Sequence, residues 1–305
     1  MKYYKILTNP NSLKKYQHCD IFFYTDGKYI KYKNRNATLT SEQLSKEYED
    51  NLYITMYDRI NTIRNKQRAL NKELTQSITV DVIKARVALK KIIENMLDEP
   101  RTLVLIEAKN TINIIVNEFL TDPNIVVKLT EVALHDYSTS LHITNCMLLS
   151  MGYAYFHNLG TYEIKKMGLI GLMHDVGKVD IPDYILQAAR KLTDEEFDMI
   201  KGHPKHSRDL LIAAEGFEKD VIYSSYQHHE RIDGSGYPNG ITGDAINEYA
   251  KILSIIDVYE ALTHWRPYKN AMTPIEALTI IKNDVDAGKL SKEYFIKFTQ
   301  SIVSI

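Results

Sequence analysis

Lys166-Met167-Gly168-Leu169-Ile170-Gly171-Leu172-Met173-His174-Asp175-Val176-Gly177-Lys178 reads as an apolar helical approach that delivers an imidazole and a carboxylate side by side at its end. An adjacent His and Asp there can bind one metal through nitrogen and oxygen, leaving the second carboxylate oxygen free to bridge another ion. Imidazole with carboxylate suits Fe, Mn, Zn or Ni, and the lack of thiolate ligands argues against a structural zinc site. Taken alone, a His-Asp pair is common by chance, so its meaning rests on its companions. The chain has 10 histidines, and most of them fall between His135 and His229.

Working outward, His142 lies in the apolar segment Leu141-His142-Ile143-Thr144, where a lone histidine is usually a satisfied core residue. His203, in Lys201-Gly202-His203-Pro204, would alone read as a loop residue before a helix. His228-His229-Glu230 is less ordinary, because adjacent imidazoles diverge on most backbones and can serve two neighbouring ions. Asp257 sits inside Ile252-Leu253-Ser254-Ile255-Ile256-Asp257-Val258, a core-like run in which a carboxylate costs several kcal/mol unless a cation or hydrogen bonds compensate. Between these residues lies Asp233-Gly234-Ser235-Gly236-Tyr237-Pro238-Asn239-Gly240, a defined turn in a glycine-poor chain. Arg266 and Lys269 follow, three apart, as a solvated helix end or, beside a metal cluster, a phosphate clamp.

Composition narrows the classes. At 305 residues the chain is long enough for two domains. Its 13 glycines and 8 prolines fall well below average usage, which favours long helices over turn-rich β architectures. A net charge of −1 gives no field for gripping DNA, so an anionic ligand must be small and held locally. Two cysteines, no leader pattern after Met1 and no apolar run of membrane-spanning length make a reducing cytoplasm the expected home, with no DNA and no membrane as partners.

The strand patterns are confined to the first 60 or so residues. Ile21-Phe22-Phe23-Tyr24-Thr25 and Lys28-Tyr29-Ile30-Lys31-Tyr32-Lys33 flank Asp26-Gly27, the signature of a type I′ hairpin. Thr40-Ser41-Glu42-Gln43 opens a helix, and Asn51-Leu52-Tyr53-Ile54-Thr55 reads as a third short strand. From about Met56 the pattern is helical, with one apolar face running from Ile78 to Leu97 and another segment from Leu103 to Leu120. The fold class is therefore α+β overall, a small N-terminal α/β module over 1–100 followed by an all-α bundle over 101–305, with the boundary near Pro100.

Taken together, His142, His174-Asp175-Val176-Gly177-Lys178, His203, His228-His229-Glu230, Asp233-Gly234-Ser235-Gly236-Tyr237-Pro238 and the stretch from Asp257 to Lys269 resemble the HD-GYP family in order and spacing, over roughly residues 125–300. HD-GYP proteins are a branch of the HD superfamily of metal-dependent phosphohydrolases and characteristically hydrolyse cyclic di-GMP. The resemblance implies a helical bundle with a metal cluster in its core, cutting a 3′–5′ phosphodiester to pGpG and in some members GMP. It implies His142, His174, Asp175, His203, His228, His229 and Asp257 as ligands to two divalent ions, Fe or Mn first, with Zn or Ni as alternatives. Asp175 would bridge the ions and, with Lys178, form the catalytic pair. Lys178 would also face the scissile phosphate, with Gly236 and Tyr237 against the dinucleotide and Arg266 and Lys269 on its phosphates or guanine edges. A hydroxide shared by the ions would be the nucleophile.

Two departures qualify that pattern. Ser138 stands where some members place a Glu for a third metal, so two metals are expected. His264-Trp265 replaces a small and an acidic residue before Arg266-Pro267-Tyr268, which favours stacking on a guanine. Glu260-Ala261-Leu262 and Glu276-Ala277-Leu278 spell the name of another phosphodiesterase family but lack its surrounding motifs, and read as chance. The alternatives are a weakly active cyclic di-GMP sensor, or a protein that docks a partner through the Gly236-Tyr237-Pro238 loop or the N-terminal domain. Hydrolysis of another cyclic dinucleotide is a further reading, and a homodimer a further expectation. The N-terminal module carries no phosphoacceptor or heme motif and reads as an input or interaction domain.

Overall fold

Asp26 and Gly27 take φ of 49° and 76°, the left-handed pair that a type I′ turn requires, and they join β2 (Ile21–Thr25) to β3 (Lys28–Lys33) as expected. The structure is a computed structural model and describes residues 2–6, 13, 16–45, 51–132, 138–265 and 270–303. β4 (Leu52–Thr55) is the third strand that the sequence indicates. A further strand, β1 (Tyr3–Lys5), pairs with β4, so the sheet is antiparallel in the order β1-β4-β2-β3. β1 escapes sequence reading because three residues are too few to show alternation. Ile6, Leu13, Cys19, Ile21, Leu52 and Ile54 form its core. Helix α1 (Ser41–Ser45) begins with the Thr40–Gln43 capping exchange.

The chain divides into two compact units between Arg68 and Ala69, ahead of the Pro100 boundary read from the sequence. Helix α2 (Met56–Ser77) contains the division point, and α3 (Val82–Asp98), capped by Asp81, belongs to the helical unit. The reason is burial. Ala85, Ala88, Leu89, Ile92, Ile93 and Met96 of α3 lie inside, and the helix packs on α6 (Thr139–Phe156). Glu99-Pro100 ends a helix, as the sequence indicates, but this break falls inside the second unit.

α4 (Thr102–Thr121) and α5 (Asn124–Glu131) lead to α6, which is buried on every side from Ser140 to Ala154. A helix apolar all round must be central, and α3, α5, α7 (Gly160–Met173) and α12 (Glu248–Thr263) surround it. Between α7 and α12 come α8 (Asp183–Leu186), α9 (Asp194–Lys201), α10 (His203–Ala214) and α11 (Lys219–Gln227). α13 (Pro274–Asp286) and α14 (Lys292–Val303) close the unit. Among the described residues no helix is long and apolar enough to cross a membrane.

Candidate metal centre

α7 and α11 each end on a histidine of the cluster, His174 and His228, while His203 follows the end of α9 and opens α10, and these helix ends explain how the three rings are held. The last carbonyls of a helix have no intrahelical partner. His174, His203 and His228 each direct Nδ1 at the carbonyl three residues earlier: Gly171 at 2.8 Å, Ile200 at 2.6 Å and Ser225 at 2.9 Å. A ring that donates from Nδ1 presents the lone pair of Nε2 inward, the tautomer that a metal needs. The Nε2 atoms do converge. His142 and His174 are 3.2 Å apart through Nε2, and His203 and His228 are 3.4 Å apart.

Asp175 lies between these pairs and is fully buried. Its Oδ2 is 3.4 Å from His142 Nε2 and 3.3 Å from His174 Nε2, while Oδ1 is 3.0 Å from His203 Nε2 and 3.8 Å from His228 Nε2. Asp257 adds Oδ1 at 3.1 Å from His142 Nε2 and Oδ2 at 3.9 Å from His229 Nδ1. All the ligand candidates read from the sequence are thus brought together. Lys178 Nζ donates to Asp175 Oδ2 at 2.5 Å.

Whether this set fits metal can be tested on its own atoms. Asp175 Oδ1 is buried with no hydrogen-bond partner among the described residues, an orphan that a native interior rarely tolerates without an ion or a water. Burial, with neighbouring imidazoles, holds His228 and His229 well below the usual imidazole range, and burial lowers His203 against the pull of Asp175. Burial would raise Asp175 and Asp257, but imidazoles around both, and Lys178 beside Asp175, outweigh it and keep them well below the usual carboxylate range. Neutral imidazoles at His203, His228 and His229 and ionised carboxylates at Asp175 and Asp257 are the protonation states that divalent-metal binding requires, so these residues fit. His142 differs: burial opposes its charge, yet the carboxylates of Glu260, Asp175 and Asp257 raise it well above the usual range.

The backbone around the ligands is closely packed. A Cβ on Gly177 would stand 2.3 Å from the His203 carbonyl oxygen and 2.4 Å from the Ser207 amide nitrogen, so only glycine lets the turn Val176–Asp180 meet α10. Ser207 Oγ accepts from Gly177 N at 2.9 Å and donates to the His174 carbonyl at 2.8 Å, tying two ligand segments together. A Cβ on Gly236 would stand 2.3 Å from Arg231 N and 2.5 Å from the His229 carbonyl oxygen. Buried Glu230 accepts from Asn239 N at 2.8 Å and Ile241 N at 3.2 Å, which fixes the glycine-rich loop. That loop lays Tyr237 against His229, ring centroids 4.7 Å apart and 27° between planes.

A cavity of about 410 Å³ opens beside Lys178, lined also by Ser138, Ser140, Glu94, Asp183 and Gln187. Ser138 caps α6 by accepting from Leu141 N, a role that suits a hydroxyl. Trp265 is half exposed. Arg266 and Lys269, proposed from the sequence as substrate contacts, lie outside the described residues.

Sequence reading missed three contributors. Glu260, set aside as part of a chance tripeptide, bonds His142 Nδ1. Its spacing of three from Asp257 on one helix was the available signal. Cys146, one turn after His142, has Sγ 3.8 Å from both ring nitrogens, but burial pushes the thiol up to about 12 and keeps it protonated. Ser207 carried no sequence signal at all.

A family described as HD domain matches residues 139–290. The cyclic di-GMP phosphodiesterase PA4108 of Pseudomonas aeruginosa is 35% identical over 159 residues, 52% of this chain and 38% of that protein. The 3′3′-cGAMP-specific phosphodiesterase 1 of Vibrio cholerae is 40% identical over 131 residues, 43% of this chain and 30% of that protein. The chain therefore spans about a third of the length of these curated relatives. The solved structure of Bd1817, an HDG"Y"P protein from Bdellovibrio bacteriovorus, shares the fold with a TM-score of 0.63 and 19% identity, over 93% of this chain and 94% of that one.

Proposed function

Because the chain belongs to the HD-GYP family of HD-domain proteins, we propose that it is a metal-dependent cyclic-dinucleotide phosphodiesterase that opens cyclic di-GMP to pGpG, with either pGpG or GMP as the final product. The observation that carries this reading is Asp175, a buried carboxylate with one oxygen toward His142 and His174 and the other toward His203 and His228. In this reading His142, His174, Asp175, His203, His228, His229 and Asp257 would hold two divalent ions, Fe or Mn. Bound there, the ions supply Lewis acidity toward the phosphate and acidify water into a nucleophile.

The chain's own residues do the rest. Imidazoles locked by backbone carbonyls need no reorganisation as charge moves, which preserves the electrostatic gain in a dry site. Lys178 stands at the cavity wall and brings a positive charge to the edge of the cluster, where it neutralises charge growing on the phosphoryl oxygens. Gly236 allows the loop to close on His229, and Tyr237 and Trp265 offer aromatic surface to the bases. Arg266 and Lys269 complete the phosphate contacts in this proposal. The sheet unit serves as an input or interaction module.

A second substrate reading, a mixed GMP and AMP ring, is favoured by the relative from Vibrio cholerae named for 3′3′-cGAMP. Equal concentrations of cyclic di-GMP and 3′3′-cGAMP, offered together to Mn²⁺-loaded protein and followed by chromatography, separate the two. Faster loss of cyclic di-GMP supports the leading reading. Faster loss of 3′3′-cGAMP supports the second, and metal-bound protein that consumes neither contradicts both.

A further inference from the structure

His142 is oriented differently from the other rings. Whereas His174, His203 and His228 lean on carbonyls three residues back, His142 gives Nδ1 to the Glu260 carboxylate on α12. The second Glu260 oxygen, Oε1, accepts from Asn145 Nδ2 at 2.7 Å, and Asn145 Oδ1 accepts from Arg86 Nη2 on α3. All four side chains are buried, Arg86 to 1% exposure. The result is a continuous chain of hydrogen bonds from α3, through α6 and α12, back to a ring that faces Asp175 and Asp257.

Arg86 is a poor stability device. Burying a guanidinium costs several kcal/mol, and its Nε and Nη1 have no hydrogen-bond partner among the described residues. A hydrophobic side chain of similar size would fill the same space between α3 and α6 at less cost. What it could not do is hold the Asn145 amide in one orientation. With Oδ1 occupied by Arg86, Nδ2 must turn to Glu260, and the carboxylate is thereby fixed for His142 Nδ1. Glu260 also faces His264 Nδ1 at 3.2 Å, so without the Asn145 contact its carboxylate has a competing partner.

We propose that Arg86 is a positioning residue for His142, acting through Asn145 and Glu260, so that helix α3, which precedes the matched HD domain, sets the metal affinity of the cluster. This inference rests on the reading of His142 as a metal ligand. Outer partners of metal-bound histidines are commonly worth about 10–100-fold in metal affinity.

The test uses the full chain loaded with Co²⁺, whose visible absorption reports ligand geometry. Wild type, Arg86→Met, Arg86→Lys, Asn145→Leu and Asp175→Ala are compared for Co²⁺ dissociation constant, spectrum and circular dichroism. The expected result is native helicity with a roughly 10-fold or greater loss of Co²⁺ affinity and an altered spectrum in both Arg86→Met and Asn145→Leu, partly restored in Arg86→Lys. A double variant combining Arg86→Met with Asn145→Leu should lose no more than the worse single, because both substitutions break one chain. Should Arg86→Met fail to fold, Asn145→Leu carries the same comparison. Unchanged Co²⁺ affinity and spectrum in folded variants, with only the melting temperature lowered, overturns the inference. If Asp175→Ala also binds Co²⁺ like wild type, the metal reading itself fails, which separates the two.

Discussion

His203 Nε2 lies 3.0 Å from Asp175 Oδ1, an oxygen buried without a hydrogen bond among the described residues, while Lys178 holds Oδ2 of the same carboxylate at 2.5 Å. One oxygen is paired with a side-chain cation, and the other faces imidazoles. This asymmetry assigns different work to Asp175 and Lys178, and the predictions start from it.

Lys178→Ala should leave metal content at the wild-type level and lower turnover by about 100-fold or more, since it removes charge from the site of developing charge but no ligand. Metal analysis beside steady-state kinetics checks this. Loss of metal together with rate would show that Lys178 holds Asp175 in place.

Gly236→Ala puts a Cβ among backbone atoms of His229, Glu230 and Arg231. The loop must shift, at about 1–3 kcal/mol, and the Tyr237 ring leaves His229. A lowered melting temperature with reduced substrate affinity is expected. A variant with wild-type stability and kinetics would contradict the close packing seen here.

The metal-free protein should weaken as pH falls below about 6.5, the ordinary imidazole value. Burial keeps His203, His228 and His229 neutral in the fold, and the unfolded chain takes up the protons they refuse. Stability therefore rises with pH across this window, by about 1.4 kcal/mol per pH unit for each such proton. His142, raised in the fold, acts in the opposite sense only above that value, because below it the ring is protonated in both states. Urea midpoints after chelation at pH 7.5 and 5.5 test the sign. Equal midpoints would mean that the cluster histidines are exposed or already charged.

A chain beginning at Ala69 should fold and bind metal, whereas one beginning at Arg101 should not melt cooperatively, because it lacks the buried face of α3. Cooperative melting of both, at the same temperature, would support the Pro100 boundary read from the sequence.

The site was readable where its chemistry is local. His174-Asp175 closes an apolar helix, Asp257 interrupts another, and the loop around Gly236 breaks a glycine-poor chain, so each stands out against its own neighbours. Glu260 was not readable in this way. Its partner His142 lies on another helix far earlier in the chain, and a carboxylate in a helix looks solvated until the fold buries it at 1% exposure. The same holds for Arg86, whose value depends on an amide met only in space. The hairpin at Asp26-Gly27 was visible because a positive-φ pair is a local demand, while β1 and the division into compact units after Arg68 depend on what packs against them.

The most direct test prepares the protein without oxygen, loads it with Fe²⁺ or Mn²⁺, counts metal per chain and follows cyclic di-GMP, with Asp175→Ala treated identically. This account predicts two ions per wild-type chain and metal-dependent formation of pGpG, with the variant losing at least one ion and nearly all turnover. Full metal content and an unchanged rate in Asp175→Ala would contradict it.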